Sequence, residues 1–228
     1  TGFWLLRTDC NRLLADQRQQ IVALQAETED AFMLSINLLA RAAEIHDEDT
    51  GNHIVRVNEY SYYLAQLCEQ APEFCDEIHY SAQLHDVGKM SVDAAVLKKK
   101  GGLTPDERRE MMNHPVYGHQ ILSRSHRLNM AAEIALHHHE KWDGSGYPNK
   151  IRGEAIPIAA RIVALADVYD ALRSMRPYKP AFSHDQAMRI LLKGDERIDP
   201  VAHFDPKLLA LVAEHHAGMN EIWSRLMD

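Results

Sequence analysis

The chain has 228 residues, a formal net charge of −8 and a hydrophobic fraction of 46%. That length suits one large domain, or one domain with an appendage, and the composition supports a substantial core. The acidic balance excludes general DNA binding, which needs a basic surface, and no run of about 18 apolar residues exists to span a membrane.

Phe3 to Leu6 is too short for a signal-peptide core, and the chain lacks an initiating Met, so it is expected to be a piece of a longer protein. Three cysteines, Cys10, Cys68 and Cys75, form no metal-type or redox pair; a reduced, cytoplasmic setting is expected. The negative net charge leaves room for a small phosphate substrate. Salt screens charges beyond about 8 Å, so local cations decide.

From Arg12 to about Glu44 the sequence reads as one long helix without Pro or Gly. Leu14, Ile21, Leu24, Ala31 and Leu38 approximate a heptad seam, interrupted by Gln17, Thr28 and Ser35. We expect residues 1–38 to be a helical linker from an upstream signalling domain, able to pair with a second copy, and residues 39–228 to form the functional domain. The helix ends near the acidic run His46-Asp47-Glu48-Asp49, after which Thr50 or Asn52 caps the next helix. Asp49 and His53 are four apart, so one helical turn puts them on one face.

Helical patterning continues from Ile54 to Glu69 and, beyond Pro72, through Ile78 to Leu84 into His85-Asp86-Val87-Gly88-Lys89. Lys89 lies one turn beyond His85, where its ammonium can hold a phosphate oxygen. Thr104, Pro105 and Glu107 spell a capping box that opens a helix running to His114, where Pro115 is expected to stop it. His114 is a ligand candidate, whereas His119 and His126 are expected to face solvent.

The histidine triplet His137-His138-His139, with Glu140, leads into a stiff loop, Lys141-Trp142-Asp143-Gly144-Ser145-Gly146-Tyr147-Pro148. Adjacent imidazoles offer a core no apolar face and make sense as metal ligands at a helix end. The loop is expected to set Trp142 and Tyr147 beside a metal cluster. In the next helix Ile158, Ile162, Leu165 and Tyr169 line one side, and Asp167 falls inside this apolar segment. A lone carboxylate there is expensive to bury unless it is paired or binds metal. Arg176-Pro177-Tyr178-Lys179 follows, two cations flanking a turn and suited to clamping phosphate or guanine. The segments 185–192, 206–216 and 219–226 read as further helices. The expected fold is all-α.

The ligand candidates are therefore Asp49, His53, His85, Asp86, His114, His138, His139 and Asp167. Imidazole and carboxylate without thiolate favour Fe or Mn over a closed zinc site. Eight candidates exceed one ion and suit two metals bridged by an Asp, a pair about 3.5–4 Å apart that would serve metal-assisted phosphoester hydrolysis.

His85-Asp86 resembles the signature of the HD superfamily of metal-dependent phosphohydrolases. With His138-His139-Glu140 and Gly146-Tyr147-Pro148, the chain resembles the HD-GYP group, whose members hydrolyse cyclic di-GMP. The resemblance spans roughly Ala40 to Pro206 and includes residues 49–53, His114-Pro115, Arg161 to Asp170 and residues 176–179. It implies an HD-domain helical bundle after the long N-terminal helix. It also implies that His53, His85, Asp86 and Asp167 hold one metal, with Asp86 bridging to a second on His114, His138 and His139. Lys89 would contact the scissile phosphate, Arg176, Lys179 and Asp47 the substrate, and Tyr147 a guanine at the pocket wall. Asp49 stands where trimetal members carry Glu, one methylene longer; two metals are expected, with a third as the alternative. A bridging hydroxide would open cyclic di-GMP to pGpG, with further cleavage to GMP as a second endpoint. Alternatives are an HD-type hydrolase of another nucleotide or cyclic dinucleotide, and a cyclic di-GMP sensor whose Gly-Tyr-Pro loop docks a diguanylate cyclase.

Overall fold

The computed structural model describes residues 2–44, 52–175 and 181–227, which contain helices and turns but no strand. Asp47, Asp49, Arg176 and Lys179 lie outside the described residues. The chain falls into two compact units, Thr1–Leu38 and Leu39–Asp228.

The first unit belongs to α1 (Gly2–Glu44). Leu14, Ile21, Leu24 and Leu38 of the expected seam are exposed. Thr28 and Ser35, which interrupt that seam, turn their hydroxyls onto the carbonyls of Leu24 and Ala31, four residues back. Each hydroxyl is thereby satisfied within the helix itself.

The second unit is a helical bundle built on α2 (His53–Leu67), α3 (Pro72–Ser81) and α8 (Ile158–Arg173). The side of α8 read as apolar is indeed interior: Ile162, Leu165 and Tyr169 are fully buried, Tyr169 edge-on against Tyr60 of α2 with ring centroids 5.1 Å apart. Each such large side chain contributes about 1.5–3 kcal/mol on burial. Short 3₁₀ turns, Ala82–Leu84 and Val87–Ser91, carry the His85-Asp86 pair past the end of α3. After α4 (Ala94–Leu97), the predicted capping box forms on α5 (Pro105–Met111), with Thr104 and Glu107 each bonding the other's backbone.

Pro115 does not stop a helix. The chain turns at residues 112–113 and Pro115 lies in the first turn of a new helix, α6 (His114–Leu122), where its missing N–H costs nothing. α7 (Asn129–His137) packs on α6 and delivers the histidine triplet. Beyond α8 come α9 (His184–Lys193), α10 (Pro200–His203) and α11 (Pro206–Arg225). The sequence suggested two helices in place of α11. Non-helical backbone at His215 divides α11 into two helical stretches, as that reading has it, and the Tyr63 hydroxyl donates to the His215 carbonyl at 3.0 Å. A side-chain donor on that carbonyl takes the place of the helical bond at the break.

Candidate metal centre

Two groups of ligand atoms form, one from Asp86, His114, His138 and His139, the other from His53, His85 and Asp167. Within each group the atoms lie no more than 4.8 Å apart. The residues come from α2, the turn after α3, α6, the end of α7, and α8, so the bundle gathers positions 53 to 167 around one place.

Asp86 joins the groups. Its Oδ1 lies 3.2 Å from His114 Nε2 and 3.6 Å from His138 Nε2, while its Oδ2 lies 3.2 Å from His85 Nε2 and 2.8 Å from Lys89 Nζ. Against the cost of burial, the charges of Lys89 and His85 hold the Asp86 carboxyl well below the usual carboxylate range. The same attraction, overcoming burial, carries His85 up to about 9. His139 goes the other way: burial and the neighbouring His138 and His114 rings hold it well below the usual imidazole value.

Ring orientation decides what these atoms offer. His85, His114 and His138 each turn Nδ1 onto a carbonyl three residues back, that of Ala82, Met111 and Ala135, at 2.8–3.0 Å. A carbonyl only accepts, so Nδ1 carries the hydrogen and Nε2 is the nitrogen left to face a cation; on His85 a cation would displace the Nε2 proton that the neighbouring Asp86 favours. The His114 and His138 Nε2 atoms face each other at 3.4 Å. His85 Nε2 and Asp86 Oδ1 are buried without a hydrogen-bond partner. Converging ring nitrogens and an orphaned carboxylate oxygen are the arrangement that divalent cations complete, and nitrogen and oxygen donors without thiolate suit them.

His53 is held differently. Its Nδ1 bonds Asp170 Oδ2 at 2.8 Å, leaving Nε2 3.7 Å from Asp167 Oδ1. Asp170 is fully buried and accepts from Arg56 Nε at 2.7 Å, Arg56 Nη2 at 3.1 Å and the Ser174 hydroxyl at 3.1 Å. Asp170 falls within the family resemblance, but Arg56 lies 114 positions away and gives no local signal of the pairing.

The loop after α7 is fixed from within. Glu140 is buried and its Oε1 accepts the backbone N–H groups of Asn149 and Lys150, at 2.6 and 3.1 Å. Gly146 packs so closely on the preceding backbone that a Cβ would stand 2.4 Å from Lys141 N and 2.6 Å from His139 O. Tyr147 stacks on His139 with ring centroids 4.7 Å apart, and burial raises its phenol pKa, leaving it a neutral donor. Trp142, in contrast, is turned to the Arg161 guanidinium, 5.7 Å from its ring centroid. His137, outside the ligand groups, pairs loosely with Glu133 at 3.5 Å.

The family described as the HD domain matches residues 36–202. A cyclic di-GMP phosphodiesterase of Vibrio cholerae serotype O1 is 44% identical over 202 residues, covering 82% of this chain and 40% of that protein. A 3′3′-cGAMP-specific phosphodiesterase 2 of the same organism is 44% identical over 192 residues, covering 83% of this chain and 36% of that protein. The chain thus spans less than half the length of either relative. A solved HDG"Y"P protein from Bdellovibrio bacteriovorus, Bd1817, shares the fold with a TM-score of 0.58 at 22% identity, over 83% of this chain and 62% of that one. The chain belongs to the HD domain family.

Proposed function

We propose that this chain is the hydrolytic part of a metal-dependent phosphodiesterase that opens cyclic di-GMP. The observation that carries the reading is Asp86, one carboxylate whose two oxygens face two separate sets of imidazoles. Divalent cations bound there, Fe or Mn by the donor set, would supply an activated water and positive charge at the phosphorus. Every other contribution belongs to the protein. Asp86 spaces the two sets, and His53, His85 and Asp167 on one side and His114, His138 and His139 on the other fix the coordination. The Lys89 ammonium, 2.8 Å from Asp86, adds charge where the phosphoryl oxygens become more negative. Tyr147 walls the pocket with a phenol that stays protonated. By resemblance, Arg176, Lys179 and Asp47 hold the substrate and Asp49 is the ligand for a third ion; two ions are our reading.

A second substrate, 3′3′-cGAMP, is favoured by the relative of that name, since both dinucleotides present the same phosphodiester to the same ligands. Free thiols at Cys68 and Cys75 support a cytoplasmic setting, and the exposed leucines of α1 support pairing of two copies through residues 1–38. The deciding experiment compares wild type with Asp86→Ala, each loaded with Mn or Fe, on cyclic di-GMP, 3′3′-cGAMP and pGpG, with a metal count. Wild type is expected to cleave cyclic di-GMP and the variant to lose both turnover and metal. Full turnover by Asp86→Ala would refute the bridging role. Binding of cyclic di-GMP without cleavage by loaded wild type would replace the enzyme reading with a sensor that docks a cyclase through its Gly-Tyr-Pro loop.

A further inference from the structure

His53 is the exception among the imidazoles oriented at the centre. Backbone carbonyls aim His85, His114 and His138, whereas a carboxylate aims His53, and that carboxylate is itself held by a guanidinium. Arg56 is 1% exposed and grips both oxygens of Asp170, which fixes the plane of the carboxylate. The guanidinium is in turn covered by the last turns of α11. Its Cζ lies 4.6 Å from the Trp223 ring centroid, and its Nη1 reaches the Leu226 carbonyl at 3.4 Å. Arg173 lies 4.7 Å from the same ring and donates to Asn220 of α11 and to the Tyr169 hydroxyl, both at 2.9 Å. One indole near the chain's end therefore packs on two arginines beside the metal centre.

We infer that the end of α11 sets the orientation of one metal ligand, through the contacts Trp223 to Arg56, Arg56 to Asp170 and Asp170 to His53. Trp223 and Asp170 are thus positioning residues for the ion on His53, His85 and Asp167, and not for the ion on Asp86, His114, His138 and His139. The inference rests on the two-metal reading above but not on the identity of the substrate. Its physical basis is stiffness. A guanidinium stacks on an indole face and is weakly hydrated, so the ring keeps water away from the Asp170 bond and removes alternative rotamers of Arg56. Without the ring, Arg56 gains freedom, Asp170 loses its fixed plane, and the His53 ring can rotate its Nε2 away. Groups that orient a ligating imidazole are worth about 10–100-fold in metal affinity.

The test measures Mn(II) uptake by the intact chain, with no substrate present. Trp223→Leu keeps apolar bulk and removes the aromatic face, Trp223→Phe restores a ring, and Asp170→Asn removes the carboxylate charge. Leu191→Ala, fully buried in α9, supplies a loss of stability from a residue outside this chain of contacts. Wild type is expected to take up two ions per chain and to give the paramagnetic signature of a coupled Mn pair. Trp223→Leu and Asp170→Asn are expected to hold one ion as tightly as wild type and the other about 10–100-fold more weakly, leaving an uncoupled Mn signal. Trp223→Phe is expected to recover most of the pair, and Leu191→Ala to retain both ions below its melting temperature. Both ions held at wild-type affinity in folded Trp223→Leu would overturn the inference, as would the same selective loss in Leu191→Ala. A wild-type chain that takes up a single ion would instead refute the two-metal reading, and the inference with it.

Discussion

Replacing Gly88 by alanine puts a methyl carbon where the backbone of α6 already lies. The added Cβ would stand 1.9 Å from His114 O and 2.4 Å from Gly118 N. Real Cβ atoms essentially never come closer than 3.0 Å, so the 3₁₀ turn and α6 must separate by about 1.1 Å, and both obstacles are main chain that cannot swing aside. That separation falls on the ligands, because Asp86 is two residues before Gly88 and His114 is the residue struck, its Nε2 only 3.2 Å from Asp86 Oδ1. Metal sites tolerate about 0.2 Å in ligand distance, several times less than the forced shift. Overpacking of this kind costs about 1–3 kcal/mol of stability. Gly88→Ala is therefore expected to melt several degrees lower and to lose the ion on the His114 side, while His53, His85 and Asp167 keep theirs more nearly intact. Thermal unfolding followed by circular dichroism, with a metal count on the folded fraction, reads both effects. A Gly88→Ala protein that keeps wild-type metal content and melting temperature would refute the reasoning.

Gly146→Ala should behave in the same way on the other side of the pocket: its Cβ would meet three backbone atoms of residues 139–141 at 2.4–2.6 Å. Displacement of Tyr147 from His139 is expected, seen as a fall in turnover with metal retained, and unchanged kinetics would contradict the close fit. Asp205 caps α11 through Lys207 N at 2.8 Å and pairs with Arg161 at 2.5 Å while only 3% exposed. Asp205→Ala should cost about 3 kcal/mol in urea unfolding, and a loss below about 1 kcal/mol would show that the pair carries little. His184 bonds the Tyr169 hydroxyl and His216, and burial, with the nearby Arg173, lowers its pKa from the usual 6.5. The unfolded chain then takes up the proton first, so stability should fall as pH drops below about 6.5. A His184→Gln protein should lose less over that interval, and identical pH profiles of unfolding for the two proteins would contradict the assignment.

How far the sequence could be read depended on how local the cause was. The capping box at Thr104 and the buried stripe of α8 are set by residues three or four apart, and both were legible. Asp167 stood out as a carboxylate inside an apolar stripe, yet it is half-buried, and the fully buried carboxylate of α8 is Asp170. Pro115 was misjudged because proline both ends and begins helices, and only the turn at residues 112–113 decides between the two. Trp142 was placed by loop proximity, whereas its ring follows Arg161. Asp170 stands in the family resemblance, but its contacts with Arg56, and those of Arg56 with Trp223, stayed hidden because they join α2, α8 and α11, and no spacing along the chain announces a meeting across 114 or more positions.

The carbonyls that orient His85, His114 and His138 have a consequence for tolerance to change. Ala82, Met111 and Ala135 contribute only main-chain oxygen to that task, and every amino acid has one. Their side chains can drift while the imidazoles keep their aim, so long as the turn survives. His53 has no such insurance: its aim is written in the side chain of Asp170, and a single codon can erase it.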